Sequence, residues 1–109
     1  MCLSLPDCPV EITLQMLGSR WTVLVLRELM AGTRRFGQLR ASIASVSQHS
    51  LTNCLRAMEE KGLLERKVYA EVPPRVEYTL TATGRSLKSV LDAMEAWGAQ
   101  YRENLTPAS

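Results

Sequence analysis

Apolar positions recur at helical spacing through roughly the first sixty residues and then switch to alternation. Val10, Leu14 and Leu17 predict a first helix over about 8–17, which Gly18 stops. Pro9 stands in its first turn, where a missing N–H costs nothing. A second helix over 20–31 is apolar nearly all round through Trp21, Leu24, Val25, Leu26 and Leu29, the pattern of a helix at the centre of a core. Gly32 closes it, and 33–36 reads as an extended link. Phe36, Leu39 and Ile43 mark a third helix over 36–43. After a turn at 45–47, Ser47 is a good N-cap for a fourth helix over about 47–61, with Leu51, Leu55 and Met58 facing inward and Gly62 at its end.

From Leu63 the period becomes two. Leu64, Arg66, Val68 and Ala70 alternate with Glu65, Lys67 and Tyr69, and Val76, Tyr78 and Leu80 alternate with Arg75, Glu77 and Thr79. Between them Glu71-Val72-Pro73-Pro74 cannot continue a strand, because two ladder donors are missing. The pattern predicts a hairpin with a stiff tip over 64–80. Thr81 then caps a last helix over about 82–104, whose stripe comprises Leu87, Val90, Leu91, Met94, Trp97 and Tyr101.

Two short helices around a tight turn, followed at once by a hairpin, define a mainly helical α+β fold: a winged helix-turn-helix with a two-stranded wing. Residues 1–109 form one such domain, with 1–6 and 106–109 read as loose ends. The terminal helices carry more apolar surface than a small core can cover. Val10, Leu14 and Leu17 with Leu87, Val90, Leu91, Met94, Trp97 and Tyr101 are therefore expected to form a two-fold dimer interface.

Composition adds exclusions. Hydrophobic residues make up 46% and charged residues 22%, the mix of an ordinary folded domain. No apolar run reaches the ~18 residues of a membrane span, and the start lacks a signal-peptide pattern, so a cytoplasmic protein without membrane partners is expected. Net charge is only +2, but ten of the thirteen basic residues are Arg, the better donor to phosphate and guanine edges. The three cysteines (Cys2, Cys8 and Cys54) show no CxxC spacing, and His49 is the one histidine. With no metal-ligand cluster, nucleophile triad or phosphate-cradling glycine loop, neither a cofactor nor an enzyme is expected. No pattern names a small-molecule effector.

With Leu51, Leu55 and Met58 inward, the fourth helix turns Gln48, His49, Thr52, Asn53 and Arg56 outward. All carry hydrogen-bonding groups and none is acidic. Gln and Asn can pair bidentately with adenine and Arg with guanine, so this face is expected to read bases in a major groove. The amides from Ser47 to Ser50 suit a phosphate oxygen. Arg34, Arg35, Lys67 and Arg75 are candidate backbone contacts, Arg75 from the rigid wing tip. Arg66 has the phase of an inward, structural residue. A solvated polar surface, or a wing that docks on protein, would use the same fold, but the latter predicts an apolar or acidic fourth-helix face.

The segments CPVEITLQMLGSRWTVLVLREL, RRFGQLRASI, SQHSLTNCLRAMEEKGLLER and VYAEVPPRVEYTLTATGRSL together resemble the HxlR family of winged-helix regulators over about 8–101. The resemblance implies MarR-like, bacterial-type homodimers on inverted-repeat operators, acting as repressors or activators. Members often carry Lys-Met at the positions of His49 and Ser50, so base preference does not transfer. In family members that sense oxidants the matching N-terminal cysteine is the reactive thiol. Cys8 is thereby a candidate sensor, with a packing role at a helix start as the alternative.

Overall fold

The computed structural model describes residues 5–105; the expectations for Cys2 and for most of the loose ends lie outside them. Six helices and three strands follow in the order α1 (Pro9–Leu17), α2 (Arg20–Met30), β1 (Arg34–Arg35), α3 (Phe36–Ser42), α4 (Gln48–Glu60), β2 (Leu64–Tyr69), β3 (Arg75–Leu80), α5 (Ala82–Ser86) and α6 (Lys88–Leu105).

α2 lies at the centre, as its all-round apolarity predicts. It touches α3, α4, β3 and α6, and buries Thr22, Val25, Leu26 and Leu29. The core around it is completed by Leu39, Leu51, Leu55 and Met58, by Leu63, Leu64, Tyr78 and Leu80 from the wing stem, and by Leu91. Thr22, the one buried polar residue among those described, places its hydroxyl 3.4 Å from the Cys54 sulfur. Buried Val46 pins the turn between α3 and α4, where Ser45 adopts φ 71°, a conformation that tertiary packing must hold for a residue with a Cβ.

Two departures from the periodic reading concern the sheet and the last helix. The link at 33–36 contributes β1, which pairs antiparallel with β3 (Arg34 opposite Tyr78), so the sheet is three-stranded in the order β1-β3-β2. Two residues are too few to show an alternation. The last helix breaks at Leu87 into α5 and α6.

The junction of α4, the wing and α5 is tightly built. α4 ends in paired bonds, Leu63 N–H to Met58 O at 2.9 Å and Gly62 N–H to Glu59 O at 3.0 Å, with Gly62 at φ +76°. The Thr81 hydroxyl donates to Gly62 O at 2.6 Å and accepts from Gly84 N–H at 3.1 Å. Gly84 packs so closely that a Cβ there would overlap the Leu63 carbonyl oxygen.

α1 and α6 extend away from this body. The molecule measures 57 × 39 × 23 Å with a radius of gyration of 16.0 Å, against about 13 Å for a compact chain of this length. Every α6 residue after Leu91 is exposed.

Candidate nucleic-acid interface

α4 presents the expected outward face. Its cap is built as predicted: Ser47 Oγ accepts the Ser50 amide at 3.0 Å and donates to Ser50 Oγ at the same distance. That cap uses the Ser50 amide internally. Of the first-turn amides, those of Gln48 and His49 are the ones a helix leaves without an intrahelical acceptor. Gln48, His49, Asn53 and Arg56 are exposed and Thr52 is half-buried. Asn53 Nδ2 lies 3.1 Å from His49 Nε2, a side-chain contact within the helix. Thr52 donates its hydroxyl to Gln48 O at 2.8 Å, keeping its lone pairs outward. The acidic Glu59 and Glu60 lie at the far end of the helix.

The wing tip differs from its sequence reading. The Arg75 guanidinium lies 4.0 Å from the Tyr69 ring centre, with Nη2 3.3 Å from Glu71 and Nε 3.7 Å from Glu77. Its side chain is turned onto its own hairpin between two carboxylates rather than held out from the tip. Lys67 is exposed, its ammonium 5.1 Å from the same Tyr69 ring centre. What projects from the tip is Val72, fully exposed beside Pro73 and Pro74.

In β2 the strand phase stands, since Arg66 lies opposite buried Tyr78 and Val68 opposite Val76, but burial departs from it. Arg66 and Val68 are exposed, and Tyr69, assigned outward, is half-buried. Only Leu64 of β2 is buried, and beyond it the strand borders an open cleft beside α4 rather than packed core. Arg66 instead reaches sideways, with Nε 3.9 Å from Glu59 on α4. Its inward phase was legible in the strand pattern; its partner Glu59 on α4 was not.

Arg34 is half-buried, donating from Nη1 to Thr33 O at 3.2 Å. Arg35 is exposed at the start of α3, where its amide donates to Gln38 Oε1 at 2.8 Å. Arg35 and the wing tip border one cleft of about 380 Å³. β1 thus brings Arg35 and Arg75 to the same cleft.

Among the terminal-helix residues, the interface set divides. Leu91 is only 7% exposed and belongs to the chain's own core, and Leu17 and Leu87 pack against that core. Val10, Leu14, Met94, Trp97 and Tyr101 are exposed, Trp97 to 68%, and Leu105 continues their line. Trp97 and Tyr101 stack with ring centres 5.1 Å apart. α1 is tied to the end of α4 by Lys61 Nζ, which donates to Gln15 O at 2.8 Å.

Cys8 is exposed and is the N-cap residue of α1, its carbonyl accepting from Ile12 N–H at 3.0 Å. Cys54 is buried. Burial pushes its thiol pKa up, with the Thr22 hydroxyl and the Lys61 charge acting the other way. No group of three or more His, Cys, Asp or Glu residues able to hold a metal occurs among the described residues. No helix among them is long and apolar enough to cross a membrane.

A capped helix with a hydrogen-bonding outer face, set beside a hairpin on a three-helix core, defines a winged helix-turn-helix regulator. The chain belongs to the HxlR-like helix-turn-helix family, whose model matches residues 16–106. It is 46% identical over 96 residues to the uncharacterized HTH-type transcriptional regulator sll1512 of Synechocystis, covering 88% of this chain and 71% of that one. The redox regulator HypR in its reduced form superposes with a TM-score of 0.85 at 39% identity, covering 90% of this chain and 97% of HypR. Reduced YodB from Bacillus subtilis gives a TM-score of 0.78 at 36% identity, covering 93% and 100%. The family and these relatives are transcriptional regulators, not enzymes, and this chain is an HTH-type transcriptional regulator.

Proposed function

We propose that the chain binds duplex DNA sequence-specifically, as a homodimer on an inverted-repeat operator in the cytoplasm. The observation that carries this reading is the outer face of α4, where Gln48, His49, Asn53 and Arg56 are exposed and no carboxylate appears before Glu59. A face of neutral donors and acceptors with one guanidinium matches base edges, whereas a solvated helix ordinarily mixes both signs of charge. Repression by occupying a promoter needs nothing beyond such binding. A gel shift with the DNA upstream of the chain's own gene tests it. A retarded band that a scrambled duplex fails to compete supports the reading, and equal competition overturns sequence specificity.

The dimer rests on the exposed residues of α1 and α6. Burying a large apolar side chain is worth about 1.5–3 kcal/mol, and Val10, Leu14, Met94, Trp97, Tyr101 and Leu105 forgo most of it in a lone chain. Two-fold pairing of these helices covers them and sets two α4 helices about one DNA turn apart, roughly 34 Å. Sedimentation at micromolar concentration should give twice the chain mass; a monomer with full affinity for a single half-site would refute the pairing.

Thiol control is the third part of the proposal. Cys8 is exposed at a helix start, open to an oxidant, and HypR is described as a redox regulator. Cys54 is disfavoured as the reactive thiol by its burial and raised pKa. Peroxide or quinone treatment should change the DNA affinity of the parent and leave Cys8→Ser unmoved; an identical response in both removes Cys8 from this role.

A further inference from the structure

Between α4 and the wing lies a cleft of about 210 Å³, lined by Thr52, Leu55, Arg56 and Glu59 from α4, Arg66 from β2 and Tyr78 from β3. Two guanidinium groups border it against a single carboxylate. Arg66 and Tyr78 are directly opposite in the β2–β3 register, so their side chains share one face of the hairpin, the face turned to α4. Burial pushes the Tyr78 hydroxyl above its ordinary pKa, keeping it a donor, and the charges of Arg66 and Glu59 both act on it.

The internal pairing of this cleft is loose. Arg66 meets Glu59 through Nε alone at 3.9 Å, and both side chains are about half exposed. A pair of that length and exposure is strongly screened and easily exchanged. Arg56 has no ion pair among the described residues. When a helix occupies a major groove and the adjoining hairpin approaches the neighbouring minor groove, one sugar-phosphate strand separates them. It passes between helix and hairpin, which here is this cleft.

We propose that the cleft seats one phosphodiester of the DNA backbone, held by Arg66 with Arg56 beside it, and that Glu59 is the counter-charge this phosphate displaces. The proposal rests on the DNA-binding reading and adds Arg66, Tyr78 and Glu59 to it. Arg66 and Glu59 then act in opposition: one attracts the strand, and the other occupies the attracting group until DNA arrives.

The test is anisotropy titration of a labelled 30-bp duplex of random sequence with the full chain, over a range of salt. Arg66→Gln should weaken binding by about tenfold and lower the slope of log K against log salt by about 0.9, the share of one phosphate contact. Arg66→Lys should keep the slope. Glu59→Gln should tighten binding severalfold, a direction that a merely destabilised protein does not take. If both neutral variants weaken binding, the pair is a strap between helix and wing and the proposal fails. An unchanged slope in Arg66→Gln also overturns it while leaving DNA binding intact, whereas a parent that binds no duplex at any salt overturns the DNA reading itself. Inorganic phosphate at constant ionic strength should not displace the duplex; displacement that disappears in Arg66→Gln would reassign the cleft to free phosphate.

Discussion

The outer face of α4 and the tip of the wing look equivalent as a string of polar residues, yet they present themselves differently. On the outer face of α4 the polar contacts stay within the helix, Asn53 with His49 and Thr52 with Gln48. At the wing tip the one cation, Arg75, is stacked on Tyr69 and held between Glu71 and Glu77. The difference is one of reach. A short polar side chain stays where its Cα direction puts it, while a long Arg on a narrow hairpin can find carboxylates two residues along the strand or across the turn. Outward phase therefore identifies a contact surface more securely on a helix of short polar residues than on a strand of long charged ones.

The largest change is expected where both surfaces share a support. Gly84→Ala forces a methyl group against the Leu63 carbonyl between the end of α4 and the wing stem, and should cost about 3 kcal/mol of stability. Thermal or urea unfolding measures it. Loss below 1 kcal/mol would mean that α5 shifts freely and that helix and wing are not held by this contact.

Next comes the helix face itself. Asn53→Ala should cost about 1–3 kcal/mol on the true operator and relax its base preference. Equal losses on operator and random DNA would place Asn53 on the backbone rather than on a base, and erase the distinction drawn here.

A smaller effect is expected at the wing. Arg75→Ala removes two partly exposed ion pairs, each worth about 0.2–1 kcal/mol, and should loosen the tip while leaving the salt slope of DNA binding nearly unchanged. A slope reduced by about one unit would show that Arg75 leaves its carboxylates for a phosphate, making the two surfaces alike after all. Lys67→Ala should do least to the fold, because Lys67 is exposed and its ammonium meets only the Tyr69 ring at 5.1 Å. A stability loss above about 0.5 kcal/mol would show that this contact is structural.

Much of this molecule was legible in its residues. The order of helices, the Ser47 cap, the Gly62 stop and the inward set Leu51, Leu55 and Met58 follow from periodicity and backbone chemistry, and they place the α4 face correctly. Three things were not legible, each because it depends on a neighbour distant in sequence. β1 exists only because β3 offers it an edge. The exposure of Arg66 and Val68 follows from the core ending at Leu64, which no alternation within the strand can reveal. Leu91 sits on the same stripe as Met94 and Trp97, yet the body of the domain reaches exactly far enough to bury the first and not the others.

The projecting end of α6 carries a thermodynamic consequence. Residues 92–105 are all exposed, and a helix of that length alone in water is only marginally stable. In a lone chain its last turns would fray, and their ordering would draw on whatever free energy pairing supplies. Folding and association of the proposed dimer are then one equilibrium, and its melting temperature rises with protein concentration rather than being a constant of the chain.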